Sequence, residues 1–89
     1  MDIKKVGLAG TLESSDIMIT VRPGNGTVNI DLQSPVDMYY HDKIMKTLTD
    51  VIDEMGIHSI DVQANDHGAL DCTIRARMAT AIKRAVEES

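Results

Sequence analysis

The chain contains no Phe and no Trp, and its 89 residues include only two Tyr, two Pro and one Cys. Without large aromatics, a core must be assembled from Ile, Val, Leu, Met and Ala. Met occurs six times. The lone Cys72 excludes an internal disulfide and fits a reducing compartment. Cations are also scarce: nine Lys and Arg stand against fourteen Asp and Glu, a net charge of −5. Nonspecific nucleic-acid binding is dominated by cations meeting phosphate, so this balance argues against it. No stretch approaches the roughly 18 apolar residues of a membrane span. The start, Met-Asp-Ile-Lys-Lys-Val, has no apolar run of signal-peptide length. A soluble cytoplasmic protein is the expectation.

What is present suffices for one small domain, residues 1–89. A chain of this length buries about 60–65% of the surface its unfolded form exposes, and 43% of its residues are hydrophobic. There is no repeat, linker or low-complexity run. In the first third, Val6, Leu8 and Leu12 share one phase with Gly10. Ile17, Ile19 and Val21 alternate with Met18, Thr20 and Arg22, and Val28, Ile30 and Leu32 alternate with Asn29, Asp31 and Gln33. This period of two predicts half-buried strands. Pro23-Gly24-Asn25-Gly26 is a dense turn signal. Three strands joined by short turns suggest an antiparallel meander.

Ser34-Pro35 then opens a helix over about 35–55, with Ser34 as cap, Pro35 in the first position and Asp37 complementing the dipole. Its stripe is Val36, Tyr40, Ile44, Leu48, Val51, Ile52 and Met55, and Gly56 ends it. Ile60, Val62 and Ala64 make a fourth strand. Asp66, in the turn Asn65–Gly68, is a candidate cap for a second helix over about 69–87, whose stripe is Leu70, Ile74, Met78, Ala81, Ile82, Ala85 and Val86. The order is βββαβα. The expected fold class is α+β: a two-layer sandwich with a mostly antiparallel four-stranded sheet and two helices on one face. All these apolar stripes, methionines included, read as core.

Few residues offer chemistry. His41, His58 and His67 lack helix-turn ligand spacing and Cys72 has no CxxC partner, so no metal site is expected. Cys72 reads as a small helix-packing side chain. Asp53 and Glu54 crowd the end of the first helix, where acids are unfavourable. They form either a solvated face or part of an acidic docking patch. Residues 34–67 hold seven acids and two bases, a local field that would steer a partner with a basic cleft. The pair Ser14-Ser15 lies in a turn between two strands. No neighbouring His stands ready as a base, so self-activated catalysis is unsupported. Such a serine is either a plain turn residue or the acceptor of a group added by a separate transferase.

The wording of two segments decides between these. Gly10-Thr11-Leu12-Glu13-Ser14-Ser15-Asp16-Ile17-Met18-Ile19 resembles the start of the acyl carrier protein of citrate lyase, its gamma subunit. Gly68-Ala69-Leu70-Asp71-Cys72-Thr73-Ile74-Arg75-Ala76-Arg77 extends the match, which runs nearly end to end. The resemblance implies a non-catalytic carrier subunit. It implies a covalent prosthetic group, 2'-(5''-phosphoribosyl)-3'-dephospho-coenzyme A (a phosphoribosyl-dephospho-CoA arm), joined by a separate prosthetic-group transferase through a phosphodiester to Ser14, with Ser15 as the alternative. The arm's thiol would carry acetyl, which the citrate lyase alpha subunit exchanges for citryl and the beta subunit regenerates as it releases oxaloacetate. Two other readings stay open: a malonate decarboxylase-type acyl carrier, and a cofactor-free adaptor or regulatory domain.

Overall fold

Alternating β-branched residues build the sheet, as the period of two predicts. The computed structural model describes residues 2–35 and 38–86. Its elements are β1 (Gly7–Ala9), β2 (Ile17–Arg22), β3 (Val28–Gln33), α1 (Met38–Glu54), β4 (Ile60–Asp66) and α2 (Asp71–Val86). The order is βββαβα and the class α+β, with both helices on one face of a four-stranded sheet.

The strands do not form a meander. Their order is β1-β2-β4-β3, with β4 inserted between β2 and β3. β1 and β4 each pair antiparallel with β2, while β3 and β4 run parallel. The sheet is therefore mixed, with two antiparallel pairings and one parallel. Two features explain this. The connection 23–27 lies across the start of β4, where Ile60 N–H donates to the Thr27 carbonyl and Gly26 N–H to Ser59 Oγ. And α1 supplies the long crossover that a parallel pair requires. Burial agrees. β2 and β4 alternate with fully covered inward residues, whereas Val28, Ile30 and Leu32 on β3 are exposed or half-buried, as suits an edge.

β1 presents the face opposite to the one its apolar residues suggest. Gly7 and Ala9 point inward, and Val6, Leu8 and Leu12 are exposed. The cause is α2, which lies directly on β1. A Cβ on Gly7 would collide with the Ala81 carbonyl oxygen and touch the Ala85 side chain. Only the smallest residues fit between strand and helix there. Arg84 Nη1 then reaches over the strand to donate to the Leu8 carbonyl.

The helical stripes need smaller corrections. In α1, Ile44, Leu48, Val51 and Ile52 are buried as expected, but Tyr40 is exposed. The expected start falls partly on Val36 and Asp37, which lie outside the described residues. Ser34 Oγ donates to Asp66 Oδ2. The α1 end is as expected. Gly56 has φ +68, its N–H donates to the Asp53 carbonyl, and Ile57 N–H donates to the Ile52 carbonyl. These are the two bonds of a Schellman stop.

In α2, Ile74, Met78, Ala81, Ile82 and Ala85 are buried. Leu70 precedes the helix and is exposed, and Cys72 faces solvent instead of the core. Asp66 does not cap α2. Its Oδ1 accepts from Ala69 N–H and closes the turn before the helix. Of the described methionines only Met78 is buried, and Met38 is largely exposed. The core is mainly aliphatic, centred on Ile17, Ile19, Leu48, Ile52, Ile60, Ile74 and Ile82. Burying each such side chain stabilises by about 1.5–3 kcal/mol. None of the described helices is long and apolar enough to cross a membrane.

Candidate functional site

The loop between β1 and β2, residues 10–16, is built to hold a rigid turn at one end of the sheet. Gly10 opens it with φ +93, and a Cβ there would collide with the Ile17 carbonyl. Glu13 N–H donates to Thr11 Oγ1, and Asp16 N–H donates to the Glu13 carbonyl. Ser15 adopts φ 66, a conformation that costs a non-glycine residue about 1 kcal/mol. Two hydrogen bonds offset that cost by extending the β2–β4 ladder: Ser15 N–H to the His67 carbonyl, and His67 N–H to the Asp16 carbonyl. The turn is thereby tied to the end of β4.

Ser14 sits at the outer rim of this turn, exposed. Among the described residues its hydroxyl makes no hydrogen bond, although the backbone on either side is held. This is a fixed, accessible hydroxyl. Ser15 is exposed as well, but its backbone is committed to His67.

Beneath the turn lies Asp16, a carboxylate with only 13% of its side chain exposed. Its partners are unusually complete. Arg77 of α2 donates from Nε to Oδ1 at 3.0 Å and from Nη2 to Oδ2 at 3.1 Å. Thr11 Oγ1 donates to Oδ2 at 2.7 Å, and the Ile17 N–H to Oδ1 at 2.7 Å. The Arg77 guanidinium, followed by the Thr11 hydroxyl and the Ile17 amide, holds the Asp16 carboxyl well below the usual carboxylate range. Asp16 therefore stays ionised at neutral pH and is no candidate general acid.

Sequence reasoning singled out Ser14 but missed the Asp16–Arg77 pair beneath it. The partners are separated by 61 positions. The only hint is that they lie within the two segments 10–19 and 68–77, which the fold brings together. The other candidates are scattered. His58, His67 and Cys72 are exposed, and the His41 Nδ1 is buried without a hydrogen-bond partner among the described residues, 3.9 Å from Asp42 Oδ1. Among the described residues no three His, Cys, Asp or Glu side chains converge on a metal-sized site. Asp53 is exposed, while both carboxylate oxygens of Glu54 accept from Arg75 Nη2, which joins α1 to α2. A cleft of about 680 Å³ opens between α1 and the 66–71 turn, lined by Tyr40, Ile44, Thr47 and Leu70 among others; Ser14 does not line it.

Comparison with known proteins places this geometry. The family described as malonate decarboxylase delta subunit (MdcD) matches residues 4–85. A citrate lyase acyl carrier protein of Oenococcus oeni is 48% identical over 88 residues, spanning 99% of this chain and 91% of its own length. One from Halothermothrix orenii is 45% identical over 85 residues, spanning 96% and 90%. A chain in the crystal structure of a Pseudomonas malonate decarboxylase hetero-tetramer in complex with malonate shares the fold. Its TM-score is 0.75 at 19% identity, covering 93% of this chain and 90% of that one.

Proposed function

The chain belongs to the citrate lyase acyl carrier protein family, and we propose that it carries acyl groups on a covalent arm attached to Ser14, serving the catalytic subunits of a citrate lyase. The observation that supports this most is the turn itself. An exposed hydroxyl without a hydrogen-bond partner among the described residues stands on a backbone anchored on both sides. A carrier needs a reachable acceptor and a rigid base. It needs no catalytic base of its own, and no described His, Cys or Asp side chain is hydrogen-bonded to Ser14.

The residues present fit a 2'-(5''-phosphoribosyl)-3'-dephospho-CoA arm. A phosphodiester at Ser14 adds one negative charge beside Asp16, whose charge is already paired with Arg77. When bound, the arm supplies a terminal thiol that holds an acyl group as a thioester. The chain's own part is to fix the arm's root while delivery between active sites becomes intramolecular, at high effective concentration. The proposed partners are the citrate lyase alpha and beta subunits and a dedicated transferase. In the attachment step, Ser14 Oγ forms a bond to phosphorus as a phosphoanhydride bond of the activated donor breaks. The hydroxyl proton passes to a base of the transferase, and the leaving phosphate group departs.

A malonate decarboxylase-type carrier is the second reading, favoured by the family description and by the shared fold. The 43–48% identity to carriers of citrate lyase favours the first. The test is Ser14→Ala with purified transferase and its activated nucleotide donor. Unfolding free energy should stay within about 0.5 kcal/mol of wild type, as for an exposed substitution, and incorporation should vanish. Undiminished incorporation would remove Ser14 from the reading.

A further inference from the structure

The attachment turn has an awkward electrostatic setting. Ser14 is flanked by Glu13 on one side and, beyond Ser15, by Asp16 on the other. The group it receives and the donor that brings it are both anionic. Like charges held close together in a partly desolvated site repel, and an unpaired Asp16 would oppose the approach of a phosphate. Glu13 is exposed and screened by solvent and salt. Asp16 is screened less: only 13% of its side chain is exposed, and it is fixed beneath the turn.

One cation answers that charge. Arg77 is fixed on the second turn of α2, where Met78 beside it is fully buried and anchors the helix. Its guanidinium meets both Asp16 oxygens in a two-point grip. That grip is geometrically specific to arginine, since the flat fork matches a carboxylate in one orientation. Asp16 passes the restraint into the turn through its own backbone, which bonds to Glu13 and His67, and through the Thr11 hydroxyl. Arg77 stays 41% exposed, so the pair lies near solvent.

Resting on the reading of Ser14 as the acceptor, we propose that Arg77 is a positioning residue for arm attachment: through Asp16 it fixes the Ser14 turn and cancels the charge that would repel the incoming phosphate. The hydrogen bonds of the Arg77 guanidinium go to Asp16 and none to Ser14, so it acts on the turn through Asp16. The pair has two separable effects, one geometric and one electrostatic.

The experiment measures the charging rate of full-length protein by intact mass, with purified transferase and its activated nucleotide donor, from about 50 to about 500 mM salt. Arg77→Gln removes both effects. It should lower kcat/KM for charging by about ten- to a hundredfold at low salt. The wild-type to variant ratio should narrow as salt screens Asp16. Arg77→Lys keeps the charge and loses the fork, so its smaller deficit should not change with salt. Asp16→Asn combined with Arg77→Gln removes both charges, and its deficit should likewise be flat in salt. A merely structural role would produce no such pattern, because salt would not distinguish the three variants.

A folded Arg77→Gln charged at the wild-type rate overturns the proposal. So does a deficit in Arg77→Gln that is unchanged by salt. If Arg77→Gln does not fold, Arg77→Lys and the double variant carry the test, and a wild-type rate in both overturns it. Ser14→Ala run in parallel separates the layers. Charging of Ser14→Ala would sink the attachment reading, whereas normal charging of the Arg77 variants on Ser14 would sink only this inference.

Discussion

Asp16 is the residue on which the local structure converges, and its ionisation has a consequence for the whole fold. Its folded carboxyl titrates below the ordinary value of 3.8 because Arg77, Thr11 and the Ile17 amide all stabilise the charged form. A group depressed in this way contributes stability that is present above its unfolded pKa and is lost as pH falls from there through the folded value. Thermal unfolding of wild type between about pH 6 and about pH 2 should therefore show Tm declining as pH drops below about 4. Asp16→Asn should start from a lower Tm and decline less steeply; parallel curves would contradict this account of the pair. Ser14, the proposed acceptor, stood out because its neighbours in sequence form a distinctive word. The brace beneath it did not, since nothing in a linear pattern joins Asp16 to an arginine on the last helix. Cys72 was misread for a related reason. Its place near an apolar stripe suggested burial, but a helix face rotates about 100° per residue, and two positions from Ile74 it already points to solvent.

At the scale of elements, the period-two and helical patterns located every strand and both helices, because burial on one face imposes those periods. They did not order the strands. Adjacency in a sheet depends on which ends the connections cross, and the 23–27 loop lies over β4. Alternation also failed on β1, where the larger residues face out. A strand's inward face is usually its more apolar one, but here the close approach of α2 reverses the rule. This difference is measurable. Gly7→Val should destabilise by about 1–3 kcal/mol in urea, as overpacking does, because its side chain meets the Ala81 carbonyl and Ala85. Leu8→Thr, on the 45% exposed face, should stay within about 0.5 kcal/mol. A reading of β1 from hydropathy alone predicts the reverse ranking, so the pair of mutants discriminates cleanly.

For the whole molecule, the fold separates a working end from a supporting body. The sheet and helices bury an aliphatic core, while the β1–β2 turn, the end of β4 and Arg77 of α2 meet at one site. Many of the acids lie on α1 and β4; Lys46 pairs with Asp50 and Arg75 with Glu54, which leaves exposed Asp42, Asp53 and Asp61 to set the outward field. The sequence foretold this excess of acid but not which carboxylates would be paired internally. All of it serves one claim, that a serine on a braced turn is the root of a covalent arm. The most direct test is intact mass of the protein co-expressed with the transferase system, followed by fragmentation of the peptide that contains Ser14 and Ser15. The account predicts a single phosphoribosyl-dephospho-CoA adduct located on Ser14. An adduct on any other residue, or an unmodified mass while the same transferase charges a known carrier, would contradict it.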